Sequence, residues 1–479
     1  MSIYEPGFLL FLGAVFLLYM LLPAKYRIYL LLTASCVFYA FAMPEILPAV
    51  LIYTGAVYIL GNKIYSSGRK KLLYIPTLIF ALAFLVVFKY FDTLFGFFGL
   101  ETGFTIEILG LSYITFQAVA YITDIYKGKT EPCGSIIPFA LYLLYFPKIL
   151  AGPIELPKSF FERIESADPD GKSLTQAGAL LVSGYLKVHI VADLLTPAVN
   201  AVFAEDAELT GLSAIFGIII YAFQFFANFS GYTDIARAAS GMFGIGLTEN
   251  FNSPYLASSI KDFWRRWHIS LSGWLKYYVY IPLGGNRCSR FRKHLNVLIT
   301  FTVSGIWHGA GLNFLFWGFA HGMLQILEDM LSPVTEKISS RDRYGIFRVF
   351  RTSLTFVTVC LLWTVFNTPT MGDAWHIISA VFTKPGTLSE ALDFCGINVI
   401  TIMLCIAAMA GAKIIARLLS ADNRHPRVLF AACLLFGALC ASVIVFTRLS
   451  AAGINFGIDI GGGVGTGAAS GAVNNFNYF

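Results

Sequence analysis

Long apolar runs without a single charged side chain recur along most of this chain. A helix needs about 20 such residues to cross the hydrocarbon core of a bilayer. Only helices and closed barrels satisfy their backbone polar groups in lipid, and uninterrupted apolar runs favour helices. The charge-free runs are residues 7–24, 28–44, 46–62, 72–88, 209–233, 294–327, 352–372, 396–412 and 428–447. The pattern predicts an all-α, polytopic membrane protein with about 11 or more spanning helices and additional re-entrant or interfacial helices.

The composition supports this class and excludes an ordinary soluble domain. Of the 479 residues, 57% are hydrophobic and 13% are charged, whereas soluble domains carry about 25% charged residues. The longest polar connections, 155–173 and 331–349, are too short to fold independently. We therefore expect one membrane domain over 1–479. Its parts are N-terminal spanning helices (1–104), a central core (105–330) and C-terminal spanning helices with a glycine-rich tail (331–479).

The basic residues indicate how the chain is oriented. The net charge of +6 is scattered over short loops, which is typical of cytoplasmic loops and not of a nucleic-acid-binding patch. Lys25 and Arg27 follow the first apolar run, and a second basic loop at 63–71 follows two further runs. Both loops are expected at the inner face, so the sequence predicts an inner-membrane, multi-pass protein with an extracytoplasmic N-terminus.

Three neighbouring segments carry too many polar groups to face lipid. They are residues 110–129, 224–255 and 261–287. Polar or irregular backbone at membrane depth is tolerated where protein covers it or where it lines a cavity, so these segments predict an internal cavity. The third segment is predicted to be one amphipathic helix in or dipping through the interface. Its apolar side would hold Trp264, Trp267, Leu271, Trp274 and Leu275, away from Lys261, Arg265 and Arg266.

Histidines supply the candidate chemistry. His308 lies in "SGIWHGAGLNFLFWGFAHG", inside the charge-free run 294–327. Ionisable groups in membrane segments generally face the protein interior and mark a site. His268, in the third polar segment, could orient such a base or its substrate. Alternatively, His308 is a buried histidine with only a structural role. For His321, packing or hydrogen bonding within a helix is the simpler interpretation. Two histidines without a third ligand make zinc a weak alternative.

Two of these blocks, "FWRRWHISLSGWLKYYVYIPLGGNR" and "SGIWHGAGLNFLFWGFAHG", resemble the membrane-bound O-acyltransferase family. The similarity is to its alginate O-acetyltransferase-like branch, which is related to the teichoic acid D-alanyl transferase. The blocks "LGLSYITFQAVAYITDIYKG", "YFPKILAGPIELP", "QFFANFSGYTDIA" and "ENFNSPY" follow the order of that branch upstream. The resemblance implies helices around a central tunnel, with His308 as the catalytic histidine and His268 as its partner. Further candidates for substrate or tunnel contacts are Arg265, Arg266, Trp267, Trp307, Asn313, Gln117, Asn250 and His321.

The resemblance also implies an activity and its partners. It implies an O-acetyltransferase that moves an acetyl group from a cytoplasmic thioester across the membrane towards an exported polysaccharide. The donor would be acetyl-CoA or an acylated carrier protein, with no bound cofactor, no metal and no nucleic acid. An extracytoplasmic SGNH or esterase-like acetyltransferase and the polysaccharide synthesis machinery would be partners. The alternatives are D-alanyl transfer to teichoic acid and, from a different class, a transporter or flippase that uses the histidines as a proton relay.

Overall fold

All regular elements of the described residues are helical. The computed structural model describes residues 3–96, 99 and 108–420, and the all-α prediction is confirmed there. The helices are α1 (Pro6–Leu21), α2 (Ala24–Ala42), α3 (Leu47–Ser66), α4 (Lys70–Gly96), α5 (Leu111–Tyr126), α6 (Ile136–Leu144), α7 (Pro157–Glu165), α8 (Gly171–Tyr185), α9 (Asp193–Val202), α10 (Gly211–Met242), α11 (Ile260–Arg266), α12 (Ile269–Leu275), α13 (Arg290–His308), α14 (Leu312–Ser339), α15 (Ile346–Asn367), α16 (Met371–Thr383), α17 (Leu388–Cys395) and α18 (Val399–Ser420). The predicted span 428–447 and the glycine-rich tail lie outside the described residues.

Two π-helical turns and one 3-10 turn complete the description. The π turn Leu186–Ala192 joins α8 to α9, and the π turn Lys276–Tyr280 follows α12 directly. The 3-10 turn Pro254–Leu256 precedes α11. Through the π turn, α8 and α9 form one continuous helix over Gly171–Val202, called the α8–α9 rod below.

Several helices have the length and apolarity to cross a membrane. Within the described part of the chain, five pass on both criteria: α3, α4 over Lys70–Phe91, the α8–α9 rod, α10 and α15. A sixth span could combine α17 with residues Ile400–Ile414 of α18, which meet at a 72° bend. The multi-pass prediction is therefore confirmed. The predicted number of spans stays a prediction.

Two of the predicted polar segments lie inside the protein. In α5, all side chains from Leu111 to Ile125 are buried, including several hydroxyls and one carboxylate. The long helix α10 packs against α8, α9, α15 and α16. Most polar side chains of these two helices are therefore covered by protein, as the sequence predicted, with Asn228 and Arg237 of α10 partly exposed.

The third polar segment differs from its prediction. We expected one amphipathic helix over 261–287, but α11 ends at Arg266 and α12 begins at Ile269. The break is at His268, whose φ of 44° is in the left-handed region. A residue in that conformation cannot continue a right-handed helix. The predicted apolar side is nevertheless buried on both halves, at Trp264, Trp267, Leu271, Trp274 and Leu275.

The helices α13 and α14 form a close hairpin that carries His308 at its turn. A Cβ on Gly305 would lie 2.3 Å from the Phe314 carbonyl oxygen, and a Cβ on Gly318 would lie 2.3 Å from the Phe301 carbonyl oxygen. Only glycine allows this approach of the two backbones. At the other end of the hairpin, Lys293 Nζ lies 2.8 Å from an Asp329 carboxylate oxygen. The hairpin is therefore held together near His308 by the close approach of the two backbones and at its other end by the ion pair.

Candidate active site

A small cavity lies between α10, the α11–α12 segment, α13, α14 and α15. It brings His268 and His308 together, with seven apolar or aromatic neighbours. The lining residues are Phe225, Trp264, Trp267, His268, Leu271, His308, Trp317, Trp363 and Phe366. The space open to the centre of a water-sized sphere is about 10 Å³, which is roughly what one water molecule needs. The two histidines that the sequence singled out therefore share one narrow, mostly aromatic enclosure.

His308 is the last residue of α13 and is 5% exposed. Its imidazole is surrounded by aromatic rings: the ring centroid lies 4.4 Å from Trp307, 5.0 Å from Phe366 and 5.2 Å from Trp317. The last two rings stand nearly perpendicular to the imidazole, at 80° and 88°. This is the edge-to-face arrangement that aromatic pairs prefer. His308 is therefore held in a defined orientation in surroundings that exclude bulk water.

His268 is 1% exposed and lies at the break between α11 and α12. Its Nδ1 is 3.4 Å from the Asn250 side-chain oxygen, which also accepts the backbone N–H of Ser270 at 3.0 Å. The Phe229 ring stands edge-on to the imidazole at 4.9 Å. If Nδ1 donates to Asn250, the lone pair of the neutral ring lies on Nε2. Asn250 thus orients His268 and does not line the cavity itself.

Trp317 and Trp363 bring buried indole groups to the wall of the cavity. Both are buried, and the Nε1 of Trp317, like that of Trp363, has no acceptor among the described residues. An unmet buried donor costs about 1–3 kcal/mol, so the Trp317 N–H would gain from an acceptor supplied by a ligand. His321 lies behind this wall, where its Nδ1 accepts the Trp264 indole N–H at 3.2 Å.

The other predicted tunnel residues have different positions. Trp267 lines the cavity, whereas Trp307 packs between His308 and Phe116, 5.1 Å from the Phe116 ring. The Gln117 side-chain oxygen accepts a hydrogen bond from buried Lys148. Asn313 donates to the Thr368 carbonyl oxygen at 2.8 Å and so ties the start of α14 to the end of α15. These last three side chains surround the site without lining the cavity.

The two arginines are not part of the cavity wall. Arg265 is exposed, and Arg266 forms an ion pair with Asp262 at 3.0 Å on the same helix. Trp264 and Trp267, by contrast, are buried and line the cavity. A contact of either arginine with substrate stays a prediction.

Sequence reasoning missed part of the wall. Trp363 and Phe366 come from α15, beyond the predicted core of 105–330. Phe225 comes from α10. All three lie in charge-free runs, where an aromatic residue gives no sign of whether it faces lipid or a site. Their role depends on tertiary packing alone.

The chemistry available here is that of two imidazoles and the indole N–H groups of Trp317 and Trp363 in apolar surroundings. No group of three or more His, Cys, Asp or Glu side chains that could hold a metal ion occurs within the described residues. A base that can be oriented, a second polar group and a buried donor fit acid–base and acyl-transfer chemistry.

Comparison with known proteins also indicates acyl-transfer chemistry. The family model described as membrane-bound O-acyltransferase matches residues 132–366. The "Probable alginate O-acetylase AlgI" of Azotobacter vinelandii is 33% identical, with 84% of this chain and 81% of the relative covered. The same-named protein of Pseudomonas aeruginosa is 34% identical, with 84% and 79% covered. The "Peptidoglycan O-acetyltransferase" of Helicobacter pylori is 31% identical, with 73% of each chain covered.

Proposed function

Because this chain belongs to the membrane-bound O-acyltransferase family, we propose that it moves an acetyl group from a cytoplasmic thioester towards an exported polysaccharide. It is a membrane O-acyltransferase. The acetyl group and the glycan acceptor are inferred from relatives named as acetylases of alginate and peptidoglycan. The observation that carries the chemistry is the aromatic cavity with His268 and His308 on its wall.

In this proposal His308 is the general base. Its imidazole takes the proton of an acceptor hydroxyl while the hydroxyl oxygen attacks the thioester carbonyl carbon. The C–O bond of the new ester forms, the C–S bond breaks, and the departing sulfur takes the proton back from the imidazolium. General-base catalysis of this kind contributes about 10²–10⁴-fold.

The remaining polar groups act on the same reaction. His268, oriented by Asn250, positions the acceptor hydroxyl or the acyl group beside His308. The indole N–H of Trp317 donates to the thioester carbonyl oxygen, where negative charge develops during the attack. A buried donor at that position typically contributes about 10²–10³-fold.

The wall of the cavity suits an apolar acyl group, because it is mostly aromatic. That this group is acetyl is inferred from the names of the relatives. Excluding water also protects the ester from hydrolysis. The donor is acetyl-CoA or an acylated carrier protein. The proposed partners are an extracytoplasmic SGNH or esterase-like acetyltransferase and the synthesis machinery of the polysaccharide, in an inner membrane with the N-terminus outside.

The test is the acetyl-ester content of exported glycan in cells with the wild type, with His308→Ala or with no copy of the gene. We expect ester only with the wild type. His376→Ala is the matched control, because His376 is an exposed histidine of α16 that does not line the cavity. It should leave the ester content unchanged.

The other outcomes separate the alternatives. Normal acetylation by His308→Ala at equal protein abundance would show that the catalytic assignment is wrong. Unchanged ester in all strains would reject glycan acetylation. Teichoic acid D-alanine ester should then be assayed in the same strains, and consumption of a thioester separates any acyl transfer from transport.

A further inference from the structure

The last turn of α13, which ends at His308, is capped by two side chains from a distant helix. Lys89 Nζ of α4 donates to the Trp307 carbonyl oxygen at 2.6 Å. The Tyr90 hydroxyl lies 2.7 Å from the Ile306 carbonyl oxygen and 3.0 Å from that of Trp307. More than 200 residues separate these partners along the chain. The contact therefore joins an N-terminal spanning helix to the helix that carries the candidate base.

These bonds replace the cap that a helix end normally makes from its own backbone. The last four carbonyl oxygens of an α-helix have no partner within the helix. Many helices use a left-handed glycine after the last residue to satisfy them, but Gly309 is extended, with φ −173°. Its N–H reaches only the Gly305 oxygen, at 3.4 Å. Side chains from α4 thus do what the backbone of α13 does not.

The kind of side chain at this position is informative. A lysine within a spanning helix is costly unless it has a protein partner. A cation is favoured at the negative end of a helix dipole, and the Lys89 amine lies there. It is also 5.4 Å from the centre of the Trp307 ring, within the range of a cation–π contact. Lys89 therefore contacts both the backbone and the side chain of the residue that precedes His308.

The Trp307 ring in turn contacts His308, which lines the cavity. Its centroid lies 4.4 Å from that of His308. Fixing the carbonyl and the ring of Trp307 restrains the backbone from which the imidazole projects. Neither α4 residue lines the cavity, so neither is placed to touch the substrate.

We propose that Lys89 and Tyr90 are positioning residues for His308, which they hold in its reactive orientation by capping the last turn of α13. This inference rests on the proposed acyl-transfer function, because the orientation of the imidazole affects the rate only if His308 is the base of that reaction. Misplacing a reacting group by about 1 Å can cost about 10²-fold in rate. The loss should appear in kcat, since neither side chain lines the cavity.

The experiment compares purified variants of the full chain in thioester consumption with acetyl-CoA as donor and a glycan oligomer as acceptor. Lys89→Met should lower kcat by about 10- to 100-fold, with the KM for acetyl-CoA within about twofold of wild type. Lys89→Arg, which can still donate to the Trp307 oxygen, should recover most of the rate. Tyr90→Phe should show a smaller kcat loss. Lys63→Met is the matched control, because Lys63 is an exposed lysine on α3, and it should keep the wild-type kcat.

Full kcat in Lys89→Met, or a loss that Lys89→Arg does not reduce, would overturn the positioning role. If Lys89→Met does not fold, Tyr90→Phe and Lys89→Arg decide. A kcat loss in folded Tyr90→Phe with an active Lys89→Arg supports the role, and wild-type kcat in both overturns it. A wild type that consumes no acetyl thioester rejects the proposed function, whereas an active wild type with unaffected variants rejects only this inference.

Discussion

At the scale of single residues, Trp317 is predicted to act on catalysis through its indole N–H. Its ring packs against His308 and stacks on Trp363 at 5.7 Å, while its N–H has no acceptor in the described part of the chain. Trp317→Phe keeps one aromatic ring, removes the unmet donor and leaves a void where the rest of the buried indole was packed. Large-to-small changes in a packed core cost on the order of 1–3 kcal/mol. We therefore expect a lower thermal midpoint than wild type, and the rate should be measured well below it.

The rate of the folded variant should fall strongly. If the N–H donates to the developing oxyanion, Trp317→Phe lowers kcat by about 10²–10³-fold, measured as thioester consumption by the purified, folded enzyme. Trp375→Phe is the control, since Trp375 on α16 is 69% exposed. A wild-type kcat for folded Trp317→Phe would remove the indole N–H from the mechanism.

The sequence predicted some of these residues and not others for a physical reason. His268 and His308 stand out because polar, ionisable groups are rare in charge-free runs and need a protein environment. Trp267 was predicted with them as a neighbour in the same block. Trp363 and Phe366 could not be predicted, because an aromatic residue is equally compatible with lipid and with a cavity wall.

At the scale of helices, the main departure from prediction is the break at His268. The spacing of Trp264, Trp267, Leu271 and Trp274 fits a continuous helix, and periodicity carries no information about one residue with φ of 44°. The break separates the two halves so that both present apolar residues to the core. It also places the histidine, and not an arginine, at the cavity.

The hairpin of α13 and α14 yields a prediction about packing. Gly318→Ala would place a Cβ 2.3 Å from the Phe301 carbonyl oxygen and 3.0 Å from Gly305. The two backbones must then separate, at a cost of about 1–3 kcal/mol. Because His308 ends α13 only three residues after Gly305, the separation should also lower kcat. The measurements are thermal unfolding of the purified protein and its rate of thioester consumption.

The control for this variant lies in another spanning helix. A Cβ on Gly55 of α3 would meet no atom within 4 Å. Gly55→Ala should be neutral or slightly stabilising, because alanine loses less backbone entropy in a helix than glycine. Equal unfolding temperatures for Gly318→Ala and the wild type would show that the close approach of the two helices is not required.

At the scale of the whole molecule, the fold class follows from bulk properties, whereas the site does not. Charge-free runs of the right length leave helices as the only economical way to satisfy the backbone in lipid. Which helices surround the cavity is decided by contacts between residues far apart in the chain. The 218-residue separation of Lys89 and Trp307 is one such case. No local pattern in α4 indicates that its lysine reaches the end of α13.

The proposed orientation is the prediction that concerns the whole chain. The helix α3 has 20 residues and so extends about 30 Å, which places its two ends on opposite faces of a bilayer. The basic loop at 67–70, like Lys25 and Arg27 at the start of α2, should face the cytoplasm, and the 43–46 loop should face outside. A protease-cleavable epitope inserted after Pro44 in the full chain should be cut by protease added to spheroplasts. The same epitope inserted after Ser67 should be cut only once the membrane is permeabilised. Both tagged proteins should retain acetylation, which shows that they are folded, and the reverse cleavage pattern would place the N-terminus inside.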